Sequence, residues 1–370
     1  MADLFDYLLW RGDLGMDAVP TNPVDTLILS ELSYLGYEGL VPGDFLHPVP
    51  LRVVAEAFLA LPDSDKRIHL KKDPELLAAC AKTKRFGELR LVFYRDELLP
   101  EMESQFAAVT WLLPGGSAIV TYRGTDTTLT GWKEDFNMSF QDSVPAQEKA
   151  LWYLEAFTKV HPDMPLMVAG HSKGGNMAVY AAARCQPALQ ERITAVHNHD
   201  GPGFQTAVIR EPGYRAILPK VRTFVPQSSV VGMLLEHEEP YTVVKSRQLS
   251  LLQHDPYSWE VLGGGFIRLE EVDENSRFLD GTIKTWLAQT SREERNNFVD
   301  AVFELLNLGE TDDLRSVILP KNVLRYLRQL RTDEKMRSII AREFADLFRA
   351  AVEQRKKKEP MELPEPNIKS

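Results

Sequence analysis

The stretch Gly170-His171-Ser172-Lys173-Gly174 sets a hydroxyl between two glycines, one two residues before it and one two residues after. That spacing suits a serine nucleophile on a sharp strand-to-helix turn, where flanking side chains would collide with the turn itself. The surroundings agree. Leu166-Met167-Val168-Ala169 reads as a short buried strand, and Gly174-Gly175-Asn176-Met177-Ala178 opens a small-residue helix. A helix starting beside Ser172 aims its N-terminal N–H groups at the reacting centre and favours developing negative charge there. The chemistry implied is acyl transfer through a covalent intermediate on Ser172. The alternatives are a turn with an idle serine or a phosphate loop, and a phosphate loop needs upstream glycine spacing that is absent here.

Such a serine needs a base to take its proton and a carboxylate to orient the base. The chain has eight histidines. The order serine, acid, histidine removes His47, His69 and His161. His171 adjoins the serine, so its side chain is expected to face elsewhere. His197 and His199 lie on or just after a strand, and His237 sits in an acidic, surface-like run. His254, in the late loop Leu252-Gln253-His254-Asp255-Pro256-Tyr257, is the expected base. Asp200, at a strand end in a glycine-rich turn, is the preferred acid, with Asp255 and Glu236 as alternatives; Asp200 would equally suit a turn-capping role. The backbone N–H of Lys173 is the first expected oxyanion donor, and the second belongs to a loop after an early strand, here Tyr122-Arg123-Gly124-Thr125-Asp126. His197-Asn198-His199-Asp200 raises a metal reading, because alternate strand residues share a face. Its spacing does not match His-x-His-x-Asp-His, so no metal and no other cofactor is expected.

The elements that must hold these residues follow from patterning. Residues 1–60 carry two short helical patterns, and 72–86 reads as one helix opening at Asp73-Pro74. Strand-like runs fall at 89–94, 106–113, 118–122, 166–169, 193–197, 221–225 and 241–246, with helices near 145–160 and 174–185. Pro114-Gly115-Gly116 is a turn between two of the strands. Alternation of Val- and Ile-rich strands with helices predicts an α/β fold with a mainly parallel central sheet. From about 280 the spacing becomes helical throughout, and 335–354 puts Arg and Lys on an outer face. The expected division is an α/β-hydrolase domain over 1–275, a helical C-terminal region over 276–355 and a disordered tail over 356–370.

The chain has 370 residues, 44% hydrophobic and 26% charged, with a formal net charge of −10. That balance argues against a non-specific grip on nucleic acid and against attraction to anionic lipid; it leaves room for a local basic patch, though nothing in the sequence calls for one. The two cysteines, Cys80 and Cys185, sit in small apolar contexts and read as buried thiols. No signal peptide and no apolar run long enough to span a bilayer is seen, so a cytoplasmic location is expected. Oligomeric state is open.

Two resemblances sharpen this. The strand followed by Tyr122-Arg123-Gly124-Thr125-Asp126, with Trp132-Lys133-Glu134-Asp135 after it, resembles the class 3 (fungal-type) lipases over about 115–260. The resemblance implies that Thr125 supplies the second oxyanion N–H. It also implies an acid in an Asp-x-Val-Pro-like turn after the next strand, but here Ser229 holds that place. The Asp200 turn instead resembles the acid-bearing turn of pancreatic-type lipases. Over most of its length the chain is similar to a bacterial family of uncharacterised α/β-hydrolases. Phe5-Asp6-Tyr7-Leu8-Leu9-Trp10-Arg11-Gly12-Asp13-Leu14, Gly201-Pro202-Gly203-Phe204 and Gln253-His254-Asp255 carry that likeness. Together they imply a lipase- or esterase-like serine hydrolase acting on a small-molecule or lipid ester. The alternative is a non-catalytic scaffold of the same fold that binds a ligand or protein partner.

Overall fold

Chain order builds the sheet from a hairpin outward. A computed structural model describes residues 1–309, 312–313 and 316–358. Its strands are β1 (Val49–Pro50), β2 (Arg90–Leu99), β3 (Ser104–Leu113), β4 (Ser117–Tyr122), β5 (Leu166–His171), β6 (Ile193–His199), β7 (Val221–Pro226), β8 (Tyr241–Val244), β9 (Val261–Leu262), β10 (Gly265–Phe266) and β11 (Arg268–Leu269). Nine of them form one sheet in the order β1-β2-β3-β4-β5-β6-β7-β8-β11, and β9 pairs with β10 apart from it. The four central pairings, β4 through β8, are parallel. The outer four are antiparallel. The sheet is therefore mixed, where the sequence suggested a mainly parallel one. The cause was visible: the tight turn at Pro114-Gly115-Gly116 joins β3 and β4 as a hairpin, and a hairpin can only be antiparallel.

The helices are α1 (Leu4–Arg11), α2 (Pro23–Leu32), α3 (Leu51–Leu59), α4 (Asp73–Lys82), α5 (Lys84–Gly87), α6 (Leu129–Asn137), α7 (Pro145–Val160), α8 (Lys173–Arg184), α9 (Pro187–Arg192), α10 (Thr206–Ile209), α11 (Pro212–Ile217), α12 (Glu274–Gln289), α13 (Arg292–Leu306), α14 (Pro320–Thr332) and α15 (Glu334–Lys358). The single helix expected over 72–86 is two, because Thr83 turns extended and its hydroxyl accepts from the N–H of Phe86. Residues 1–60 hold three helices rather than two.

Period-two alternation sorts the strands onto two cores. Ile119 of β4 and Ala169 of β5 face α1, α2 and α4. Val120, Tyr122 and Val168 face α7, α8 and α11. The N-terminal segment is fastened by a buried ion pair between Arg85 and Asp25, which also accepts from the Tyr7 hydroxyl. Helices α12 to α15 follow the sheet, and the expected C-terminal tail begins inside α15. Its remaining residues, 359–370, lie outside the described residues.

Candidate active site

β5 ends at His171 and α8 starts at Lys173, so Ser172 alone makes the turn between them. Its φ of 57° and ψ of −135° are strained for a side chain other than glycine. The turn closes because its neighbours are glycines: a Cβ on Gly174 would stand 2.1 Å from the carbonyl oxygen of Tyr122. The Ser172 N–H donates to the His199 carbonyl at 2.9 Å, tying the turn to the end of β6.

The next turn along the sheet carries Asp200, the expected acid. The side-chain oxygen of Asn198 accepts from the Gly201 N–H at 2.8 Å, and this tight loop holds Asp200 at φ 53°. Asp200 is buried. Its Oδ2 lies 2.6 Å from Nδ1 of His254, and its Oδ1 accepts from the Ser229 hydroxyl at 2.5 Å and the Gly232 N–H at 3.2 Å. Since the carboxylate accepts, His254 carries its proton on Nδ1, which leaves Nε2 as the acceptor. His254 reaches this place because Gln253 beside it accepts from the Ser228 N–H and donates to the Gln248 carbonyl. Neither alternative acid touches the ring: Asp255 accepts from the Tyr257 N–H, and Glu236 from the Thr206 hydroxyl. Among the described residues no hydrogen bond joins the Ser172 hydroxyl to His254.

His171 does not face away as expected. Its ring packs on that of His254 at 4.5 Å between centroids, and its Nε2 donates to the His254 carbonyl at 2.9 Å. Its Nδ1 then accepts from the Tyr34 hydroxyl at 3.1 Å. Burial, then the neighbouring His254, holds His171 well below the usual histidine range, so it stays neutral.

The loop after β4 lies flush against the serine. A Cβ on Gly124 would meet the Ser172 Cβ at 2.9 Å and the Tyr34 hydroxyl at 2.1 Å. Arg123 braces this loop through a two-armed pair with Asp96 at 2.6 and 2.8 Å and also pairs with Asp126 at 3.6 Å. Thr125 donates its hydroxyl to both Asp135 oxygens, at 2.7 and 2.6 Å. The backbone N–H groups of Thr125 and Lys173 find no acceptor among the described residues. The Lys173 side chain runs inward to Glu134 at 2.9 Å and to the Gln105 carbonyl at 3.1 Å. Burial alone would lower its pKa, but Glu134 and Asp135 outweigh that and raise it. Burial pushes Asp135 up to about 6, against the pull of Lys173. Beside this loop, a cleft of about 350 Å³ is lined by Pro100, Glu103, Leu129, Thr130, Lys133 and Phe303, among others.

His197 and His199 share a face, as their spacing required, but the Thr26 hydroxyl of α2 sits between them, 2.7 and 3.0 Å from the two rings. Burial pushes His197 down to about 4. Among the described residues no group of three or more His, Cys, Asp or Glu side chains is placed to hold a metal ion. Asp96, Tyr34 and the inward contact of His171 were not foreseen. Asp96 lies 27 positions from Arg123 on a strand with no local signal. Lys173 did carry one, since a lysine opening a helix of small residues demands a buried carboxylate.

Parallel strands flanked by helices on both faces, with a strained serine turn leading from a strand into a helix, fit an α/β-hydrolase fold. The Mbeg1-like family model matches residues 80–304, and the chain belongs to that family. A search of curated proteins found no match. Among solved structures the chain is similar to the Rhizomucor miehei lipase propeptide complex, at 16% identity over 54% of this chain and 66% of that one, with a TM-score of 0.34. It is also similar to M37 lipase (15% identity, 58% and 70%, TM-score 0.36) and to a mutant MDLA from Penicillium cyclopium (14%, 68% and 87%, TM-score 0.37). The Rhizomucor alignment thus spans just under two thirds of that chain.

Proposed function

We propose that the protein is a serine hydrolase that cleaves carboxylic esters through an acyl intermediate on Ser172. The observation that carries this reading is the 2.6 Å contact between Asp200 and His254 beside a serine held at φ 57°. In this mechanism the Ser172 hydroxyl attacks the ester carbonyl while Nε2 of His254 takes its proton. Asp200 holds the ring tautomer and stabilises the imidazolium. The N–H groups of Lys173 and Thr125 receive the oxyanion. His254 then gives the proton to the leaving alkoxide, and water repeats the sequence to free the acid. Fatty or short acyl esters are the proposed substrates.

A second reading, a non-catalytic scaffold that binds a ligand, draws on the missing hydrogen bond between Ser172 and His254. In working hydrolases this contact is often loose before substrate binds. One experiment separates the two. A fluorophosphonate probe should label the wild-type chain, and Ser172→Ala should abolish labelling while leaving thermal unfolding unchanged. A folded wild type that takes no label, or a Ser172→Ala variant labelled equally, removes the hydrolase reading.

A further inference from the structure

The net charge of −10 hides a sharp asymmetry. Between residues 320 and 356 the sequence holds ten Lys and Arg against five Asp and Glu, a net +5 that leaves −15 on the rest. This stretch is α14 and most of α15, and it lies beyond residue 304, where the family match ends. The inner faces of the two helices are already occupied. Tyr326 and Met336 are buried against Ala301 and Leu305 of α13, with Leu330, Ile339 and Ile340 packed around them.

The outer faces are not polar, as a solvated helix pair would require. Leu324 is 67% exposed and Leu327 49% on α14; Phe344 is 57% exposed and Phe348 70% on α15. Phe344 and Phe348 lie one turn apart on α15; Phe344 also meets Phe298 of α13 edge-on at 5.9 Å, while Arg337 pairs with Glu334 and Arg355 lies over the Phe278 ring of α12. On α14, Arg328 and Arg331 are exposed beside Leu324 and Leu327, and neither makes an ion pair among the described residues.

We propose that this outer face of α14 and α15 docks on the surface of anionic phospholipid membranes. Exposed leucines and phenylalanines enter the headgroup boundary while the surrounding cations meet lipid phosphates and carboxylates, the pattern of a helix that lies on a bilayer rather than crossing it. No described helix is long and apolar enough to cross. Two other occupants fit less well. Nucleic acid would match the charge, but Leu324 and Leu327 have nothing to read or stack on a base. A second copy of the chain, meeting this face through a two-fold axis, would set +5 against +5. The docking surface stands independently of any chemistry at Ser172.

The test is flotation of the full chain with phosphatidylcholine vesicles, with and without phosphatidylserine. Binding is expected only with phosphatidylserine and should weaken as salt is raised. Arg328→Gln with Arg331→Gln should weaken it about thirtyfold, at about fivefold per cation. Phe344→Ser with Phe348→Ser should weaken it at least about tenfold. Arg328, Arg331 and Phe348 are exposed and Phe344 also touches Phe298, so thermal unfolding of each pair is compared with wild type, and either pair alone can report if the other fails to fold. Absence of wild-type binding to phosphatidylserine vesicles overturns the proposal, as does binding that neither pair weakens. Retention on an RNA oligonucleotide without vesicle binding would assign the face to nucleic acid. A dimer lost in the phenylalanine variant, again without vesicle binding, would assign it to self-association.

Discussion

Asp200 is a left-handed residue, and two groups besides His254 hold its carboxyl group in place. One is the Gly232 N–H; the other is the Ser229 hydroxyl, which donates to the oxygen that does not face His254. Ser229 therefore stands next to the acid without being one. A hydroxyl that donates to a buried carboxylate fixes its rotamer through a charge-assisted bond. Two substitutions should then differ in size. Asp200→Asn should cut kcat about ten-thousand-fold with little change in KM, because an amide leaves His254 in the wrong tautomer. Ser229→Ala should cost only about tenfold, the worth of one charge-assisted hydrogen bond. Ester hydrolysis kinetics of the two variants would decide. If Ser229→Ala were as damaging as Asp200→Asn, Ser229 would have to act in the relay itself.

Behind the relay, α2 and α4 bring together two carboxyls that the proposed chemistry does not use. Glu31 near the end of α2 is fully buried, and neither carboxyl oxygen has a hydrogen-bond partner among the described residues. Asp73 at the start of α4 accepts from the N–H groups of His69 and Leu70 and from the hydroxyl of Tyr257, just past His254. Burial, then the charges of Asp73 and Asp255, pushes Glu31 well above the usual carboxyl range. Burial also raises Asp73, to about 6. Both groups hold protons more tightly folded than unfolded. The folded chain then binds more protons from about pH 4 upward, and stability falls as pH rises through that window. Glu31→Gln removes the charge and keeps the volume. Its melting temperature should exceed wild type by a few degrees at about pH 8, and the gain should vanish near pH 4. Scanning calorimetry at both pH values tests this, and equal melting at about pH 8 would refute it. This layer also shows where sequence reasoning stops. Ser172 with its strand and helix was legible because a strained turn needs glycines at fixed local offsets. The meeting of His254 with Asp200 was legible through chain order and through the place of Asp200 at a strand end. Glu31, Asp73, Tyr34 and Asp96 were not, since each meets its partner across the sheet or between helices far apart in the chain, and no local pattern records such a meeting. The mixed sheet was readable in principle, from the hairpin turn at 114–116.

At the scale of the whole molecule, the C-terminal helices are clamped to the helix that follows the proposed oxyanion loop. Leu129 and Phe140 pack with Val299 and Phe303 of α13. Lys133 of α6 bridges Glu103 at 2.6 Å and Asp300 at 2.7 Å. Arg295 donates to the Ser139 carbonyl at 3.1 Å, and Thr130 donates its hydroxyl to Asp312 at 2.9 Å. α6 also carries Glu134, which holds Lys173, and Asp135, which holds Thr125. A single apolar seam thus joins the helical region to the segment that sets both proposed oxyanion donors. The ion pair at Lys133 is half exposed on the Asp300 side and adds little by itself. The seam therefore depends on Phe303, which is 4% exposed. Phe303→Ala leaves a cavity worth about 3–5 kcal/mol if the site cannot collapse, more than a small interface between two packed units can absorb. The expected outcome is a calorimetric trace that splits in two, with α12–α15 melting below the sheet domain. Esterase activity should fall over the lower transition, because α6 loses its outer support before the Ser172 turn unfolds. If the variant melts in one transition with activity lost only at the end, the helices are part of the same cooperative unit and the clamp on α6 does not set the oxyanion loop.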